Sequence, residues 1–176
     1  SRVAVHIRVF PRHVHRLYPR RAEQIAAVFR FFIQCFRLRL DGIRNFPAEL
    51  LRLLFDRCTP LRALSLNHII PDGLLDVFNV LALPSLEHLA LSGQNFTNKH
   101  FRDIIMHRLR LSLISLDLSK CSNLTGEPLV SAEEFSRLTK VDLSGTRFTE
   151  AAAIVLVSIA PRLEYFSLSG CRSIEN

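Results

Sequence analysis

Leu113-Ile-Ser-Leu-Asp-Leu-Ser-Lys-Cys121 is the stretch on which the fold turns. Its apolar residues Leu113, Leu116 and Leu118 follow the template apolar-x-x-apolar-x-apolar. Side chains alternate across a strand with period two, so Leu116 and Leu118 share one side while Ser115, Asp117 and Ser119 share the other. Working outward, the template recurs as Cys35/Leu38/Leu40, Leu61/Leu64/Leu66, Leu86/Leu89/Leu91, Leu138/Val141/Leu143 and Leu163/Phe166/Leu168. Successive first positions are 26, 25, 27, 25 and 25 residues apart. A fixed period of this size marks a stack of units, each unable to bury its apolar face until a neighbour covers it.

After each strand a further apolar residue turns the chain inward, at Ile43, Ile69, Phe96, Leu124, Phe148 and Ile174, and a helix is expected to follow in most units. Pro47 to Phe55 opens with Pro in the first turn and puts Leu50, Leu51, Leu54 and Phe55 on one face. Ser131 with Glu134 reads as a capping box before Phe135, and Thr149-Glu150 as the cap of a helix over Ala151 to Ile159. Pro60, Pro84 and Pro161 stop helices shortly before the next strand. The predicted fold is an α/β solenoid with parallel strands, about 4.8 Å apart, on the concave face and helices on the convex face. Residues 35–176 hold the repeats, with starts near 35, 61, 86, 113, 138 and 163. Residues 1–34 form an atypical or capping unit in which Val3/Val5/Ile7 make a strand and Arg21 to Gln34 a helix.

The apolar fraction of 48% suits a buried core, and the net charge of +7 belongs to one end. Residues 1–46 carry ten Arg against Glu23 and Asp41, a balance of +8, and residues 47–176 come to −1. The longest uncharged stretches, Phe31 to Phe36 and Ala151 to Pro161, fall short of the roughly 20 residues a bilayer requires. The chain begins at Ser1 with Arg2 and Arg8 in its first apolar run, which fits neither a signal peptide nor an uncut start, and a fragment is expected. Four cysteines without disulfide or zinc spacing point to a reducing compartment, cytoplasm or nucleus. Cys121 and Cys171 stand two units apart, about 10 Å along the stack, too far for a disulfide or a shared metal, and read as buried plugs. Cys35 and Cys58 read as core or helix-end residues.

His13-x-His15 lacks the further ligands a metal site needs. With Arg12, Arg16, Arg20 and Arg21 it forms a basic run, read as solvated, with an acidic partner or a nucleic-acid backbone as the alternative. Asn95-Phe-Thr97 and Asn123-Leu-Thr125 match the glycosylation pattern, but an inward apolar residue followed by a helix-capping Thr explains both. No phosphate-cradling loop, nucleophile elbow, metalloprotease helix or carboxylate pair is found. The expectation is a chain that is not an enzyme, holds no cofactor or metal and takes no small-molecule substrate.

Leu-Glu-His-Leu-Ala-Leu-Ser-Gly (86–93), the opening stretch at 113–121, Leu-Thr-Lys-Val-Asp-Leu-Ser-Gly-Thr (138–146) and Leu-Glu-Tyr-Phe-Ser-Leu-Ser-Gly-Cys (163–171) resemble the leucine-rich repeat superfamily. Cys121-Ser-Asn-Leu-Thr125 and Cys171-Arg-Ser-Ile174 resemble its cysteine-containing subclass, whose members include F-box proteins and Zyg/Zer-like cullin adaptors. That resemblance implies a protein-interaction module, the substrate-recognition part of a ubiquitin-ligase adaptor. Phe46-Pro47-Ala-Glu-Leu-Leu51 is similar to the start of an F-box, but Leu61 already begins the next strand. Contact with Skp or cullin components would then run through regions outside this chain. The alternatives are a ribonuclease-inhibitor-like or GTPase-activating-like regulatory repeat protein, and nucleic-acid contact through the basic N-terminus.

The alternation names the side chains that face a protein partner on the concave surface. They are Arg37, Arg39, Asp41, Asn67, His88, Ser115, Asp117, Lys140, Asp142 and Tyr165, set among small residues such as Ala63, Ala90, Ser144 and Ser167. Tyr, Arg, His and Lys are the anchors in that set. Asp117 and Asp142 also read as ordinary solvated strand aspartates.

Overall fold

The computed structural model describes residues 3–6, 35–42, 60–68, 83, 85–127 and 133–174. The expected helices over Arg21 to Gln34 and Pro47 to Phe55 lie outside them, as do Ile7, Ile43, Cys58, Ile69, Pro84, Ser131 and the basic run around His13 and His15. Among the described residues, seven short strands form one open, all-parallel sheet in sequence order: β1 (Val3–His6), β2 (Cys35–Arg39), β3 (Ala63–Ser65), β4 (His88–Ala90), β5 (Ser115–Asp117), β6 (Lys140–Asp142) and β7 (Tyr165–Ser167). β2 to β7 sit on the template at the same place, so Leu38, Leu64, Leu89, Leu116, Val141 and Phe166 pair side by side across the sheet.

That register converts the template into apolar columns. Leu64, Leu89, Leu116 and Val141 form one, Leu66, Leu91, Leu118 and Leu143 a second, and Leu61, Leu86, Leu113 and Leu138 a third, all buried. Phe96, Leu124 and Phe148 close the core beyond the strand ends. In the last unit Leu163, Phe166, Leu168 and Ile174 are only partly buried.

The helices cover the columns. α1 (Asn98–His100) opens at Thr97, whose hydroxyl and N–H form a capping box with His100, and runs directly into a nine-residue π-helical segment, Phe101–Leu109. The segment buries Ile104, Ile105 and Met106 in succession. Wider turns suit three adjacent inward residues, because each residue advances by a smaller angle than in an α-helix. α2 (Glu150–Ile159) starts where expected, with Thr149 accepting from the Ala152 N–H, and buries Ala152, Ala153 and Leu156. Among the described residues no helix is long and apolar enough to cross a membrane.

Residues 133–139 correct one expectation. They are irregular, so Glu134 does not help to open a helix. Phe135 is instead a core plug, fully buried, its N–H donating to the Ile159 carbonyl. It stands only three residues before inward-facing Leu138, which leaves no room for helical turns.

Gly42, His68, Gly93, Lys120, Gly145 and Gly170 occupy one position at successive strand ends, and all have φ between 55° and 72°. The left-handed residue turns the chain and sends its N–H to the next unit: Gly93 N–H to the Ser119 carbonyl and Lys120 N–H to that of Ser144. Lys120 therefore carries strain that its glycine counterparts do not. Lys120→Gly is expected to raise stability by about 0.5–1 kcal/mol, the αL penalty less the extra chain entropy of Gly, read as a higher urea midpoint at unchanged slope.

Candidate functional site

The face of the sheet opposite the core is built by the same alternation, and the pairing arranges it in three rows. In the first, Arg37, Ala63, His88, Ser115, Lys140 and Tyr165 stand next to one another on β2 to β7. In the second stand Arg39, Ser65, Ala90, Asp117, Asp142 and Ser167. Just past the strand ends follow Asp41, Asn67, Ser92, Ser119, Ser144 and Ser169. All ten residues expected to meet a partner thus share one face.

They differ in how far their polar atoms are used within the chain. Asp41 accepts from the Ser65 hydroxyl (2.5 Å), from the Asn67 N–H (2.9 Å) and from the Arg39 guanidinium. Burial pushes its carboxyl up, but these three donors together outweigh burial and hold it below the usual carboxylate range. Asn67 passes the chain of bonds on, accepting from the Ser92 N–H at 2.7 Å. Asp117 accepts from the Ser119 N–H (2.9 Å) and hydroxyl (2.7 Å), and Asp142 from the Ser144 N–H (2.9 Å). The two aspartates therefore hold the strand-end turn in shape, which is a structural role.

Lys140 and Tyr165, by contrast, are exposed, Tyr165 by 51%. Arg37 is exposed while also engaged within the chain, and His88 is half-buried. His88 is held below the usual histidine value, first by burial and then by the charges of Arg37 and Lys140, with Glu87 acting in the opposite sense. Over β2 to β5 the small side chains Ala63, Ser65, Ala90 and Ser115 leave an open depression of about 200 Å³ on this face. Among the described residues no cluster of three His, Cys, Asp or Glu side chains could hold a metal ion.

Several working residues escaped the sequence reading. Glu87, at the rim beside His88, receives Arg62 (3.1 Å) and Arg137 (3.5 Å). Asn98 clamps the next unit, donating to the Thr125 hydroxyl (2.6 Å) and accepting from the N–H of Thr125 (2.9 Å) and Gly126 (3.2 Å). Gln94 and Thr146 occupy the position of Cys121 and Cys171, one residue after the left-handed turn. Gln94 donates to the Leu66 carbonyl, Cys121 to that of Leu91 (3.3 Å) and Cys171 to that of Leu143 (3.2 Å), while Thr146 pairs with Cys171 (3.4 Å). The 25- to 27-residue period lines up this column of hydrogen-bonding side chains.

Cys121 and Cys171 are free, buried plugs. Burial pushes the Cys121 thiol up to about 11. At pH 8 only about a thousandth of it is thiolate, so native-state alkylation should run about a hundredfold or more slower than for an unhindered thiol. Mass spectrometry before and after denaturation checks this, and rapid labelling of the folded protein would refute the plug.

The fold has a counterpart among solved structures. A chain in the crystal structure of the Rad7 and Elc1 complex in yeast superimposes with a TM-score of 0.62 at 22% sequence identity, over 79% of the present chain. The match spans 37% of the length of that chain. No protein-family model and no curated protein matches the sequence. At this identity the similarity is one of fold.

Proposed function

We propose that the chain is a protein-binding leucine-rich repeat module, a horseshoe whose open sheet face is the concave, partner-facing surface, and that it is not an enzyme. Within that reading it serves as the substrate-recognition part of a ubiquitin-ligase adaptor in the cytoplasm or nucleus. The observation that carries the binding role is the first row, where exposed Arg37, Lys140 and Tyr165 share a line with small Ala63 and Ser115, beside a depression floored by small side chains. Large anchors beside small neighbours let a partner approach closely while offering it few groups of high binding energy. The adaptor role is supported by the cysteine-containing repeat pattern at Cys121 and Cys171. It is also in keeping with a fold counterpart crystallised in a complex with another protein. The segment linking it to Skp or cullin components would lie outside these 176 residues.

Affinity capture of the intact protein from cells tests both parts. Wild type should recover a Skp-like or cullin component together with a client protein. Lys140→Glu combined with Tyr165→Ala should lose the client and keep the ligase component. Recovery of no ligase component from wild type would sink the adaptor role, and an unchanged client in the double variant would sink the open-face interface.

A further inference from the structure

We infer that the first row receives an extended acidic segment of the partner, one presenting two carboxylates three residues apart. This rests on the open face being the protein-binding surface. Along the row the groups alternate in size: Arg37 on β2, Ala63 on β3, His88 on β4, Ser115 on β5 and Lys140 on β6. Each small residue leaves a gap flanked by His88 on one side and a cation on the other, and both gaps open into the same depression.

The gaps lie two strands apart, about 9.6 Å at the usual strand spacing. A polyproline-II segment returns its side chains to the same side every third residue, after about 9.3 Å. An extended β-strand does so every second residue, after about 6.8 Å, and misses the second gap. Carboxylates at positions i and i+3 of a polyproline-II segment therefore fall into both gaps at once.

The local charges favour that occupant. Arg37 and Lys140 both act on His88 as cations, lowering its proton affinity alongside burial, so their positive potential meets where the segment would lie. Glu87, which acts on His88 in the opposite sense, receives Arg62 and Arg137 at the rim. Asp117 and Asp142 stand one row away with carboxylates accepting from the Ser119 and Ser144 N–H groups. An anion seated beside His88 stabilises its protonated form, so its pKa should rise on binding.

Fluorescence anisotropy with labelled proline-rich peptides tests this, using the whole chain and peptides carrying Asp-x-x-Asp, Asp-x-Asp or Asn-x-x-Asn. Asp-x-x-Asp should bind roughly tenfold more tightly than Asn-x-x-Asn, as expected for two exposed ion pairs formed together, and roughly threefold more tightly than Asp-x-Asp, which seats only one carboxylate. Its affinity should fall with added salt, and by about fivefold in Lys140→Glu or His88→Ala. The His88 ring signals should titrate at higher pH in the complex. Equal binding of Asn-x-x-Asn, or indifference to Lys140→Glu, overturns the acidic segment; if Tyr165→Ala still weakens that binding, the interface survives without it. No binding by any peptide also overturns this inference, and the capture of the client then judges the interface by itself.

Discussion

Gly126→Ala is expected to destabilise the protein by about 2–5 kcal/mol. Gly126 has φ +86°, where an L side chain costs about 1–2 kcal/mol. A Cβ built there would lie 2.5 Å from both the Ala152 Cβ and the Phe148 Cε2. Phe148 is fully buried and Ala152 sits on the core face of α2, so neither can move without opening the core. The backbone cannot retreat either, because Asn98 accepts from the N–H groups of both Thr125 and Gly126. Overpacking of this kind adds about 1–3 kcal/mol. Gly42→Ala separates the two contributions, as φ there is +72° but no atom lies within 4 Å of the added Cβ. It should cost only the conformational part, about 1–2 kcal/mol. Urea titrations of the two variants decide the matter: losses equal within about 0.5 kcal/mol would mean that the Phe148 and Ala152 contacts relax freely.

The same contrast shows where the sequence is legible and where it is not. Inward columns such as Leu66/Leu91/Leu118/Leu143 could be read directly, because burial imposes a leucine at each repeat and the strand period assigns its side. The three outward rows follow from that assignment. The left-handed turn could be read at Gly93, Gly145 and Gly170 but not at His68 and Lys120, where the chemistry of the residue gives no sign of the conformation its neighbours impose. Phe135 looked like part of a helical unit because its local pattern fits one, and the short distance to Leu138 decided against it. For the outward residues, sequence gives the side of the sheet but not how the polar atoms are used. Asp117 and Lys140 appear equally available in the pattern, yet Asp117 is bonded to Ser119, whereas Lys140 forms no ion pair among the described residues.

A stack of units also predicts how stability is distributed, and Leu118→Ala is the sharpest test. Leu118 is fully buried between Leu91 and Leu143, its equivalents in the units on either side. Removing its isobutyl group should cost about 2–5 kcal/mol, from lost burial and from a cavity that flanking strands, fixed by their own hydrogen bonds, cannot fill. Leu168 holds the same template position in the last unit but is only partly buried against Leu143's side of the core. A partly buried side chain has less apolar surface to lose and leaves a smaller cavity when it is truncated. Leu168→Ala should therefore cost less than Leu118→Ala in these 176 residues, although residue, substitution and template position are the same. Chemical denaturation of both variants measures the ratio. Equal losses would show that the burial of the side chain does not set its cost, whereas the expected inequality ties the stability of this fold to the apolar surface that each leucine buries.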